Sequence, residues 1–94
     1  MTTLRVEHAT PDFDTWKRVF DSDPVDRKGS GVSRYRILRS VEDPNFVMID
    51  LEFGNVGEAE AMLGKLKQLW AGPGKDVMLN PTGRIVETAE AAEV

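Results

Sequence analysis

The chain has 94 residues, 40% hydrophobic and 30% charged, which fits one globular domain and excludes a wholly disordered chain. Its 16 Asp+Glu against 12 Lys+Arg leave a net charge of -4 with no basic stripe, which argues against nucleic acid as a partner. The absence of cysteine removes disulfides, thiolate nucleophiles and Cys-ligated zinc or iron–sulfur centres.

Residues 4–9 alternate, with Leu4, Val6 and His8 on one face and Arg5, Glu7 and Ala9 on the other, the pattern of a half-buried strand. Thr10 and Pro11 break it, and Asp12 is placed to cap a helix over 13–21. Phe13, Trp16, Val19 and Phe20 make that helix's apolar stripe. Asp23 followed by Pro24 predicts a short helical turn that ends at Gly29 to Gly31. Residues 32–41 alternate again, with Tyr35, Ile37, Arg39 and Val41 opposite Arg34, Arg36, Leu38 and Ser40. After a tight turn over 42–45 comes the clearest strand, 46–53, whose Val47, Ile49, Leu51 and Phe53 form a wholly apolar face. Asn55 and Glu58 have capping-box spacing at the start of a second helix. Its stripe is Val56, Ala59, Met62, Leu63, Leu66 and Trp70, and Gly72, Pro73 and Gly74 stop it. A helical turn over 75–80 and a last strand over 84–88 complete a single domain, residues 1–88, followed by a loose acidic tail, 89–94.

The order strand, helix, strand, strand, helix, strand implies an α+β, ferredoxin-like βαββαβ domain. Right-handed crossovers place the first and third strands at the centre of a four-stranded antiparallel sheet, with both helices on one face. If the apolar faces of the middle hairpin match, Tyr35, Ile37 and Arg39 join the helix side. Arg34 and Arg36 then lie beside Glu52 and Asp50 on the open face, where opposite charges on neighbouring strands help by about 0.2–1 kcal/mol per pair. A domain this small buries at most about two-thirds of its chain surface. A mixed face carrying Leu38, Met48 and matched charges therefore suits contact with a second copy, and a homodimer is expected.

Nothing in the chain resembles a phosphate loop, nucleophile elbow or dinucleotide fingerprint, so no cofactor is expected. One histidine and no cysteine leave little for a transition metal, and no metal site is expected. No apolar run approaches membrane-spanning length and the N-terminus has no apolar signal core, so the chain is read as cytoplasmic. His8 and Arg39 fall near the same end of the sheet. His8 has the chemistry of a general base or acid, and Arg39 that of a group holding an anionic oxygen. Trp16, Tyr35 and Trp70 are the candidate walls for a flat ligand. Each has an alternative: His8 as a hydrogen-bonded core residue, Arg39 as a strand-end surface charge, the tryptophans as core. Asp50 and Glu52 read as an acid/base or metal pair, or as part of a charge network with Arg34 and Arg36.

The string His8, Asp12-Phe13-Asp14, Trp16, Phe20-Asp21, Arg27, Gly31, Tyr35-Arg36, Arg39, Asp43-Pro44-Asn45 and Glu52-Phe53 resembles small bacterial proteins of the dimeric α/β-barrel superfamily, near the antibiotic-biosynthesis-monooxygenase-like group. The resemblance runs over residues 4–88. It implies a homodimer whose two sheets form a shared barrel, and a sheet–helix pocket in each subunit. It further implies an enzyme similar to cofactor-independent monooxygenases or polyketide cyclases acting on an aromatic or polyketide-like ligand. His8 stands where some members carry a polar active residue, and Trp70 is placed loosely like their helix tryptophan. The oxygenases' Asn-Trp-His set does not map cleanly, and the second histidine expected of haem-degrading members is missing. The alternative is a non-catalytic homodimeric ligand-binding or accessory protein.

Overall fold

The protein is described by a computed structural model covering all residues, Met1–Val94. Its elements are β1 (Thr2–Ala9), α1 (Phe13–Asp21), β2 (Arg34–Arg39), β3 (Phe46–Phe53), α2 (Val56–Ala71) and β4 (Leu79–Glu87). The sheet order is β2-β3-β1-β4 with antiparallel neighbours, so β1 and β3 are central as the connection rules require. The helices cover one face. Leu4, Val6, Val47, Ile49, Leu51 and Phe53 of the sheet pack with Trp16 of α1 and Ala59, Met62 and Leu66 of α2 in one buried core.

The middle hairpin has the register that matches its apolar faces. Ile37 pairs with Ile49, Arg36 with Asp50 and Arg34 with Glu52. A slip of one residue would turn every one of these side chains to the wrong face. Asp12 caps α1, accepting from Thr15 N–H at 3.0 Å, and Asn55 caps α2, accepting from Glu58 N–H at 2.8 Å. Gly31 has φ 95°, and a Cβ there would meet the Glu58 carboxylate. Only glycine both adopts that conformation cheaply and leaves that space.

Several boundaries differ from expectation, β1 starting at Thr2 and β2 at Arg34 among them. β2 ends at Arg39 because residues 40–45 form a longer turn. In it the Asp43 side chain accepts from Asn45 N–H at 3.0 Å and the Asp43 carbonyl from Phe46 N–H at 2.9 Å. Residues 22–33 contain turns but no helix, since Asp26, inside the expected turn, has φ 50°, a left-handed conformation that a right-handed helix does not admit. Residues 72–77 likewise form turns without a helix. β4 begins at Leu79, well before residue 84, because it is an edge strand on which Pro81 sacrifices no ladder hydrogen bond. Its pairing with β1 shifts between Glu7 and Ala9, a bulge with Asn80 at φ 50° opposite His8. Residues 89–94 belong to no helix or strand.

Candidate functional site

Alternation along β1 sends His8 to the helix side, where the α1 stripe meets it. Trp16 packs tilted against His8 with ring centroids 5.3 Å apart, Phe20 tilted against Trp16 at 5.2 Å, and Tyr35 of β2 edge-on against Phe20 at 5.1 Å. Phe13 flanks Trp16 at 5.6 Å. α1 thus lies on the sheet through a file of aromatic rings, each pair worth about 0.5–1.5 kcal/mol beyond its buried area. Two arginines lie against rings of this group. Arg39 lies over Phe13 at 3.8 Å and donates through Nε to the Pro44 carbonyl at 2.8 Å. Arg27 lies over Phe20 at 3.9 Å and donates through Nη1 to the Phe20 carbonyl at 2.7 Å.

Between α1, residues 22–33, α2 and the sheet lies an apolar cavity of about 50 Å³. Trp16 and Phe20 wall it on one side, Leu66, Leu69 and Trp70 on the other, and Val6 and Ile49 form its floor. Gly83 of β4 lets α2 come this close, because a Cβ there would stand 2.6 Å from Leu63 and 3.3 Å from the Trp70 ring. The Trp70 Nε1–H is buried with no hydrogen-bond partner in the chain.

Of the residues singled out from sequence, Trp16 and Trp70 line this cavity, while His8, Tyr35 and Arg39 do not. His8 is fully buried behind Trp16. Its Nδ1 lies 2.9 Å from the Ala9 carbonyl, which can only accept, so Nδ1 carries the proton and Nε2 presents a lone pair. That Nε2 is buried without a partner. Burial pushes the His8 pKa below 6.5, against the smaller opposing effect of the Ala9 hydrogen bond. His8 and Arg39 both flank Val47 on one rung of the sheet, as their parallel strands require, but the Arg39 guanidinium is spent on Phe13 and Pro44. Tyr35 sits at the surface, 43% exposed, as the outer end of the ring file.

On the opposite face of the sheet Asp50 accepts from Arg5 through two hydrogen bonds of 2.8 Å and from Arg36 at 3.4 Å, and Glu52 pairs with Arg34 at 3.3 Å. The Arg5 hydrogen bonds hold the Asp50 carboxyl below its usual range. Both carboxylates are taken up by arginines in a structural network. No group of three or more His, Cys, Asp or Glu side chains is gathered in metal-binding geometry, and no helix is long and apolar enough to cross a membrane. Arg27 enters the sequence reading only through the family resemblance and with no role attached, and Val25, Leu69 and Met78, which also line the cavity, carry no sequence signal. Arg27 lies in a connection without periodicity, and nothing local signals that its chain folds back over an aromatic ring.

No family model matches the chain, and no curated protein does. Solved structures match over nearly its whole length. SnoaB, a cofactor-independent oxygenase from Streptomyces nogalater, is 14% identical with a TM-score of 0.73, covering 96% of this chain and 94% of its own. A provisionally named antibiotic biosynthesis monooxygenase from Nitrosomonas europaea is 20% identical with a TM-score of 0.62, covering 96% of this chain and 100% of its own. Another from Deinococcus radiodurans is 13% identical with a TM-score of 0.67, covering 100% and 98%. At these identities the likeness is one of architecture: the chain has the ferredoxin-like fold of antibiotic biosynthesis monooxygenase-like proteins.

Proposed function

We propose that this protein binds a small apolar or aromatic molecule in the cavity between Trp16 and Trp70. The observation that carries the reading is the lining: 11 of 13 residues are hydrophobic, walled by aromatic rings from both helices. A cavity of about 50 Å³ is too small for a whole ring, since benzene occupies an apolar cavity of about 150 Å³. A guest of that size enters by displacing Pro24 and Val25, which line the cavity from the connection between α1 and β2 and belong to neither helix nor strand. The protein is further read as a homodimer joined through the Arg5, Arg36 and Asp50 face, which leaves the helix side free. The test is quenching of tryptophan emission by 1,4-naphthoquinone. Saturable quenching that disappears when Val25→Phe fills the cavity supports the reading, and quenching that rises linearly in both proteins rejects it.

One observation favours a catalytic version, similar to the cofactor-independent oxygenases. His8 offers an unpaired basic Nε2 one ring away from the cavity, opposite a bulge in β4. An oxygenase without cofactor needs a substrate that gives up a proton and then electrons to dioxygen, and the proton acceptor is the group the protein must supply. His8 would fill that role once a guest displaces the Trp16 ring. Arg39 would then hold the oxyanion after leaving Phe13, and Tyr35 would contact the guest after leaving Phe20. Oxygen uptake above the protein-free rate with a naphthalenediol, abolished in His8→Gln while guest binding persists, is the expected result. Uptake unchanged in that variant would end the catalytic version.

A further inference from the structure

Resting on the reading of the cavity as a guest site, the geometry points to Arg27 as an anion anchor in its lining, so that the preferred guest carries an apolar body and an anionic head such as a carboxylate. Arg27 is the one charged residue in the cavity lining. Its guanidinium is held from three sides: over the Phe20 ring at 3.9 Å, 5.0 Å from the Tyr35 ring centre, and bonded through Nη1 to the Phe20 carbonyl. Nε lies 3.4 Å from Asp23 Oδ1, and the Arg27 side chain is only 17% exposed. The remaining nitrogen, Nη2, makes no hydrogen bond within the chain. A fixed, largely dehydrated guanidinium with a free N–H edge binds an oxyanion with little ordering cost, and through a charge-assisted bond.

Arg27 also forms part of a second concavity, open to the surface, with Lys28, Arg34, Asp23, Ser33 and Tyr35. Arg34 is already paired with Glu52 at 3.3 Å, which leaves Arg27 and Lys28 against Asp23, so the potential on the surface side of Arg27 favours an anion while the cavity accepts apolar matter. Asp23 is the internal competitor. It ties the Arg27 backbone N–H at 2.9 Å and offsets part of the guanidinium charge. A purely structural role for Arg27, tethering residues 22–33 to α1, predicts no discrimination between charged and neutral guests of one shape.

The experiment titrates the full chain with 3-phenylpropanoate and with 3-phenylpropan-1-ol at pH 7, read by the emission of Trp16 and Trp70. The acid is expected to bind about tenfold more tightly than the alcohol, the effect of one desolvated charge-assisted bond. Arg27→Gln removes the preference by weakening the acid alone. Asp23→Asn keeps an acceptor for the Arg27 N–H and tolerates the left-handed backbone, and it tightens the acid about two- to threefold by removing the competing charge. A gain of affinity cannot arise from misfolding, so this variant decides the matter even if Arg27→Gln is unstable. If acid and alcohol bind alike, or if Asp23→Asn leaves the acid unchanged, the anchor is overturned and the cavity reading stands. If neither compound nor naphthoquinone binds, the cavity reading itself fails.

Discussion

A single imidazole between β1 and Trp16 sets one acid limit of this protein. His8 is the only histidine, so its ring protons give one assignable NMR resonance. That resonance is expected to titrate below pH 6.5, because burial disfavours the imidazolium. Above about pH 6.5 the ring is neutral in both the folded and unfolded chain. Below it the unfolded chain takes up a proton that the folded one refuses, so stability is lost as pH falls from there toward the folded value. The loss is at most about 1.4 kcal/mol per pH unit. Denaturant unfolding across pH 7 to 5 is expected to show this slope and His8→Leu to flatten it; a slope that survives the substitution would contradict the assignment. Asp50 acts in a separate window. Its carboxyl is lowered by the Arg5 hydrogen bonds, so its contribution is present above about pH 3.9 and lost as pH falls through its lower folded value. At this scale the identity of the candidates was legible and their surroundings were not. Alternation sent His8 to the helix side, yet only packing could show Trp16 closing over it. The spacing of the α1 stripe put Trp16 and Phe20 on one face without telling which ring packs against which.

Elements here are joined at glycines that admit a neighbour. Gly83 sits on β4 where the Trp70 and Leu63 side chains of α2 descend. Gly83→Ala is expected to cost about 1–3 kcal/mol by overpacking, and to shift Trp70 emission because its ring must move. Gly31, at φ 95°, is the second such joint. Gly31→Ala is expected to lower stability by about 1–2 kcal/mol from the left-handed backbone alone, with a further cost for moving the Glu58 carboxylate that now fills the space. Chemical denaturation reads both. Element types were legible because periods of two and of 3.6 residues leave distinct marks. The end of β2 and the start of β4 were not. Pro81 argues against a strand from the chain alone, and it is tolerated because β4 borders only β1, a fact of topology.

At the scale of the whole molecule the sheet has one face buried under helices and one carrying the Arg5–Asp50–Arg36 network. Light scattering is expected to return the mass of two chains, following the proposed pairing through that face. Asp50→Ala is expected to cost about 1–2 kcal/mol of stability, discounted for half-exposed arginines, and to weaken the pairing as well. A dimer unaffected by that change would place the contact elsewhere. By itself the sequence determined the element order, the apolar face of the sheet and the hairpin register. These follow from local periodicity, from connection rules, and from charges and apolar groups that match in one alignment only. The tertiary structure alone decided that Trp16 stands between His8 and the cavity, that Arg27 joins the cavity lining, and that Arg5 is the main partner of Asp50. Such contacts join residues far apart in the chain, and their geometry depends on how closely α1 and α2 settle on the sheet, a distance set by side-chain volumes acting together that no single segment encodes.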